Sequence, residues 1–218
     1  RTWALSAYGA YLIANPRDGT IFWWQNDTGV VAAPLDNCPA KVTYALALPT
    51  RQIMAFGCSE ETSGLHNHLC IRWSDVEGPT TWTTSTSNNA GEYILEGGGR
   101  IVSATLIGPY VLVFTSSGLH LGTYIGDPGE TWRFERQGDN CGLIGPNAVA
   151  VSGQTAFWIS PDAQFWSYTI GGTPHCPAAR IGKRIPPDSA HRRTAARTPA
   201  RRASHPAPLH VCLLPGNR

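Results

Sequence analysis

No run of apolar residues in the 218-residue sequence approaches the roughly 18 that a helix needs to cross a membrane. The sequence also lacks a Cys-x-x-Cys pair, a Gly-x-Ser-x-Gly nucleophile elbow and a glycine-rich loop ending in Lys-Ser/Thr. These gaps argue against a zinc ribbon, a dithiol redox centre, a serine hydrolase of the elbow type and a phosphate loop. Six cysteines (Cys38, Cys58, Cys70, Cys141, Cys176, Cys212) fall at irregular spacings, and reduced thiols are expected. Arg1 stands where an initiating Met would, with no signal-peptide pattern behind it, so an internal fragment is expected. Charge is sparse at 15% of residues, and no aromatic residue occurs after Tyr168.

What is abundant is Gly and Pro, together 40 residues, and Trp, with 8. That balance favours short strands joined by tight turns, and the length suits one large all-β domain. One hairpin-like pattern occurs four times: "YLIANPRDGTIFWW" from Tyr11, "QIMAFGC…LCIRWSD" from Gln52, "YVLVFTSSGLHLGTY" from Tyr110 and "TAFWISPDAQFWSY" from Thr155. Each copy joins two apolar runs through a turn of Pro, Asp, Ser or Gly, with a longer loop in the second copy. A further apolar strand precedes three of them: "KVTYALAL" at Lys41, "RIVSATLI" at Arg100 and "PNAVAVS" at Pro146. Units of three or four antiparallel strands at this spacing point to an antiparallel β-propeller-like body, as a small ring or part of a larger one. A β-sandwich would supply similar strands but no reason for the repeated Gly/aromatic spacing.

Two acidic bends carry tryptophans. In "IRWSDVEGPTTW", Ile71 and Trp73 share one face of a strand, Asp75 and Gly78 supply a turn, and Trp82 follows. In "GDPGETW", Asp127 and Gly129 precede Trp132. An Asp in such a turn is expected to accept bonds from backbone N–H groups two or three residues on. Burying a Trp contributes about 4–6 kcal/mol at about 25 cal/mol/Å², far more than an exposed ion pair, so both bends read as architecture. "DPGETW" resembles the Asp-box turn of sialidase-type and other propeller blades, a structural staple away from the active site. It departs from that pattern where Ile125 replaces the expected hydroxyl residue, and "SDVEGPTTW" carries one insertion.

Other candidates for chemistry are weaker. His66, His68 and Cys70 alternate and could share a strand face as metal ligands, but no fourth ligand is visible and solvated loop histidines are the plainer reading; no metal is expected. Asp75, Glu77 and Glu92 could form an acid/base pair for glycoside chemistry, against the commoner reading of exposed turn acids. Gly97 to Gly99 reads as a flexible connection, and "NDT" at Asn26 fits a glycosylation sequon with no sign of secretion. No catalytic residue and no cofactor is expected.

Taken in order, "WALSAYGAYLIANPRDGTIFWW", "IRWSDVEGPTTW", "NNAGEYILEGGGRIVSA", "LVFTSSGLHLGTYIG" and "GDNCGLIGPNAVAVSGQTAFWISPDAQFWSY" resemble a family of tailed-bacteriophage virion proteins. These are β-rich tail or neck components, some related in architecture to packaged-DNA stabilisation hubs. The strongest piece is "CGLIGPNAVA", which contains Gly145, Pro146 and Asn147. The resemblance covers residues 1–173. It implies a structural subunit that forms a homo-oligomer in the assembled virion and contacts other tail or neck subunits, with no catalytic residues to carry over, located in the virion and in the host cytoplasm during assembly. A glycan-binding or sialidase-like propeller is the alternative. Such a hydrolase needs three arginines and a Tyr–Glu pair in one pocket, and only eight Lys/Arg precede Thr173.

Residues 174–218 differ in kind. From Arg180 onward nine Lys/Arg face the single acid Asp188, a balance of +8, leaving eight Lys/Arg against fourteen acids, or −6, for residues 1–179. Ordering these last 39 residues would cost roughly 40–80 kcal/mol of backbone entropy, whereas burying their six aliphatics returns about 9–18 kcal/mol. A disordered tail is expected. It reads either as a frameshift product or as a nucleic-acid-binding arm in which Arg192, Arg193, Arg197, Arg201 and Arg202 neutralise phosphates.

Overall fold

A computed structural model describes residues 2–127 and 129–177. The basic tail, with Arg192, Arg193, Arg197, Arg201 and Arg202, lies outside the described residues. Those residues are all-β. Fifteen strands form four antiparallel sheets, each a meander of consecutive strands. The first holds β1 (Trp3–Tyr8), β2 (Tyr11–Pro16), β3 (Phe22–Trp24) and β4 (Ala33–Pro34). The second holds β5 (Tyr44–Ala47), β6 (Ile53–Ser59), β7 (His66–Trp73) and β8 (Gly91–Ile94). The third holds β9 (Ile101–Ile107), β10 (Tyr110–Thr115), β11 (Gly118–Asp127) and β12 (Glu130–Asp139). The fourth holds β13 (Val149–Ser152), β14 (Thr155–Ile159) and β15 (Phe165–Thr169). Beyond β15, His175 exchanges two backbone bonds of 2.8 Å with Ser167, so pairing on this edge runs two residues past Thr173.

A local rule builds three of the four opening hairpins. Gly9, Gly108 and Gly153 each stand first in a two-residue turn, at φ 61°, 58° and 58°. A left-handed first residue matches the twist of the strands it joins, and only Gly enters that region without a Cβ penalty. The second sheet instead uses the longer turn Leu48–Gln52, where Arg51 takes the left-handed position at φ 60°.

Side-chain alternation assigns each sheet two faces, and the sheets stack in chain order through three cores. Ile53, Ala55, Cys58 and Cys70 of the second sheet meet Tyr8, Ile13 and Ile21 of the first. On the opposite face Met54, Phe56, Ile71 and Trp73 meet Val111, Val113, Trp132 and Phe134 of the third. Leu112, Phe114, Leu119 and Leu121 then meet Ala156, Trp158 and Tyr168 of the fourth. A strand flanked by cores on both faces must be apolar throughout, and β6 is buried at all seven positions. β1, with a core on one face, alternates. The leading strands β1, β5 and β9 touch in succession, so the first three sheets radiate from a shared inner edge as propeller blades do. Arg17 Nη1, in the turn after β2, donates to the Val102 carbonyl in β9 at 3.0 Å and ties the first sheet to the third.

Candidate functional site

Because neighbouring strands run in opposite senses, the starts of β5, β7 and β9 share one end of the molecule with the end of β2. The two acidic bends lie at the other end. Trp82 is buried in the core between the first and second sheets. Its Nε1 donates to the Pro79 carbonyl at 2.8 Å, and its own carbonyl accepts Arg72 Nη2 at 2.9 Å. The Asp75 carboxylate accepts Val76 N–H and Asn89 N–H, both at 2.8 Å, so it clamps the two ends of the β7–β8 connection. This replaces the expected bonds from residues two or three positions on. The turn itself is closed by backbone bonds from Gly78 N to Asp75 O at 3.2 Å and from Asp75 N to Thr81 O at 2.9 Å.

Trp132 is buried in a different core, between the second and third sheets. Its bend is the tip of the β11–β12 hairpin, and among the described residues no hydrogen bond reaches the Asp127 carboxylate. The Asp127 carbonyl accepts Thr131 Oγ1 at 3.4 Å. Trp73 packs in the same core, with Nε1 donating to Asn89 O at 2.9 Å. A Cβ on Gly91 would come within 2.5 Å of the Trp73 ring, so only Gly lets β8 pass beneath the indole. The residue joining these corners is Gln52, which the sequence reading missed. Fully buried, it donates from Nε2 to Ser74 O at 2.8 Å and Asn89 O at 3.2 Å, and its Oε1 accepts Trp132 Nε1 at 3.1 Å. Gly145, Pro146 and Asn147 form a turn closed by Ala148 N–H on the Gly145 carbonyl at 3.0 Å, at the inner edge near Thr2 and Trp3.

The candidate acids separate. Glu77 is exposed and pairs with Arg51 at 3.6 Å. Glu92 instead faces Arg72 on the neighbouring strand at 3.8 Å, and Glu61, which nothing in the local sequence marks, completes the group at 3.4 Å from the same buried guanidinium. Cys70 turns inward and lies 3.9 Å from Cys58 Sγ and 3.5 Å from Glu92 Oε2. The hydrogen bond with Cys58, then burial, raise its thiol pKa. It is therefore parted from His66 and His68, and among the described residues no three His, Cys, Asp or Glu are placed to hold a metal ion. Cys38, Cys58, Cys70, Cys141 and Cys176 are free thiols.

The two histidines belong to another group. Arg17, Asp18, Lys41, Thr43, His66, His68 and Arg100 line a cavity of about 240 Å³ where three sheets meet. The His66 and His68 rings lie 4.5 Å apart, edge to face. Burial, then His68 and Lys41, lower the pKa of His66. Two arginines and one lysine converge here, so a triad of arginines is not formed, and no Tyr or Glu is among the lining residues. A groove of about 330 Å³ between β8 and β12 exposes Glu92, Tyr93, Glu130 and Arg133.

No family model matches this chain. No curated protein matches it either. Among solved structures, the extracellular domain of a hybrid two-component system from B. thetaiotaomicron is similar over 79% of this chain and 21% of its own, at 10% identity and a TM-score of 0.50. The computationally designed Ika4 protein is covered over 92% of its length by 78% of this chain, at 15% identity and TM-score 0.47. BamB from Moraxella catarrhalis is covered over 47% by 79% of this chain, at 14% identity and TM-score 0.47. The chain thus spans nearly all of the designed protein but about half of BamB and a fifth of the extracellular domain. At such identities the likeness concerns fold alone, and the fold of this chain is a β-propeller-like array of four antiparallel sheets.

Proposed function

We propose that the protein is a structural subunit of a tailed-phage virion, in the tail or neck, and that it works by contacts between subunits and not by catalysis. The observation that carries this reading is the outer face of the first sheet, where Trp3, Leu5 and Leu12 are 53%, 65% and 36% exposed. Phe22 and Trp24 extend the same apolar face. The outer face of the fourth sheet carries the stacked pair Phe157 and Phe165, 6.0 Å apart. An exposed apolar patch of this kind marks an interaction surface. Its occupant is a second copy of the chain, because every internal core is already formed by one sheet laid on the next. A fourth sheet meeting another copy's first sheet continues that series head to tail. The virion setting rests on the resemblance of the ordered motifs to tail and neck proteins.

Light scattering on the eluted protein is expected to show assemblies larger than one chain. Leu5→Glu alters an exposed side chain and is expected to return the protein to single copies. A chain that stays monomeric at every concentration overturns the contact role. Mass spectrometry of purified tailed particles from a producing lysate is expected to find its peptides, and particles lacking them overturn the virion setting. A panel of fluorogenic glycosides is expected to stay intact; turnover abolished by changing Glu92 or Asp75 would establish a glycan-active propeller instead.

A further inference from the structure

The cavity between the first three sheets has a charge balance opposite to that of the body around it. Residues 1–179 carry eight Lys/Arg against fourteen acids. Yet the cavity wall sets Arg17, Lys41 and Arg100 against Asp18 alone, three cations and one acid, or +2 with both imidazoles neutral. The Asp18 carboxylate is occupied by the Thr43 hydroxyl at 3.0 Å. Among the described residues Arg17, Lys41 and Arg100 take part in no ion pair, although Arg51, Arg72, Arg133 and Arg136 all do. Three cations converging on one acid give this wall a positive potential that attracts a bound anion.

The wall is held in place. The Arg17 bond to Val102 fixes one edge of its guanidinium and leaves its other N–H groups to a guest. His66 Nε2 lies 3.2 Å from His68 Nδ1, so the two imidazoles orient each other, while His66 Nδ1 is buried without a hydrogen-bond partner. Asp18 and Lys41 both take left-handed backbone, at φ 59° and 54°, and the Gly19–Val42 bridge beside them fastens the two segments. Such backbone is strained and persists where surrounding structure imposes it, commonly at binding sites. At about 240 Å³ the cavity falls below the roughly 300–1,000 Å³ typical of drug-sized ligands, so the guest is small.

We propose that this cavity binds a small dianionic oxyanion, a phosphate group, with Arg17, Lys41 and Arg100 supplying charge and the His66–His68 pair supplying one N–H donor. Inorganic phosphate titrated into the full chain at neutral pH and low salt is the direct probe, read from the imidazole C–H resonances of His66 and His68. His66→Gln and His68→Gln identify those two signals. A saturable shift at millimolar phosphate is expected, weakening about tenfold or more as salt screens the cations. Lys41→Gln with Arg100→Gln replaces two exposed side chains and is expected to abolish saturation without loss of folding. Changing Arg192, Arg193 and Arg197 to Gln is expected to leave the titration unaltered. The assignment is overturned by no saturable shift, by a shift that survives Lys41→Gln with Arg100→Gln, by loss on changing the tail arginines, or by an equal response to acetate.

Discussion

Gln52 exerts its influence through four bonds, since its Oε1 also accepts the Thr50 hydroxyl at 3.0 Å. Replacing it with Ala leaves Trp132 Nε1 and the Ser74 carbonyl without partners in a buried site, and each orphaned group costs about 1–3 kcal/mol. Gln52→Ala is expected to lower the chemical-denaturation midpoint by more than Asp127→Ala, whose carboxylate is unengaged among the described residues. Equal midpoints would contradict the role given to Gln52. His120 provides a second residue-scale prediction. Burial, with Arg136 adding to it, lowers its pKa, while the Glu96 backbone and Asp139 oppose this. Unfolded, the imidazole takes up a proton near pH 6.5. Folded, it does so only at lower pH, so the unfolded chain binds more protons across this window and stability falls as pH drops below about 6.5. His66, shifted the same way, adds to the fall. Urea midpoints at neutral and mildly acidic pH are expected to lie closer together in His120→Gln than in the parent.

At the scale of the elements, strands and turns were the most legible part of the sequence, because a buried strand must be apolar and a tight turn must hold Gly, Pro, Asn or Asp. The quoted runs at Tyr11, Gln52, Tyr110 and Thr155 hold β2, β6, β10 and β14. A further signal lay in "YGAY", "IGPY" and "SGQT", whose shared glycine opens three equivalent hairpins. Gly153 has open space around it, so Gly153→Ala adds no clash and only the left-handed strain, about 1–2 kcal/mol. A loss of stability in that range is expected in thermal unfolding, with the strand content unchanged. What sequence could not reveal was contact across sheets. Arg17, Lys41 and Arg100 are far apart in the chain, and Glu61 meets Arg72 only because β7 and β8 fold back beside it. The break between His68 and Cys70 likewise follows from the irregular register opposite Gly57, which undoes the simple alternation that put them on one face.

At the scale of the whole molecule, three cores in series make the inner sheets more protected than the outer ones. The second and third sheets are covered on both faces, and the first and fourth on one. In the single-copy Leu5→Glu protein, amide hydrogen exchange is expected to be slowest in β6 and β10 and fastest in β4 and β13, because local opening follows the amount of packed apolar surface. Protection of β13 equal to that of β6 would mean that the fourth sheet's outer face is covered.

The bond from Arg17 to Val102 joins sheets that are not neighbours in the row. Contacts between successive sheets alone would let the row splay like an opening fan, whereas this chord across its inside sets how sharply it bends. The angle between blades, and so the number of blades that complete a circle, is held in part by one guanidinium.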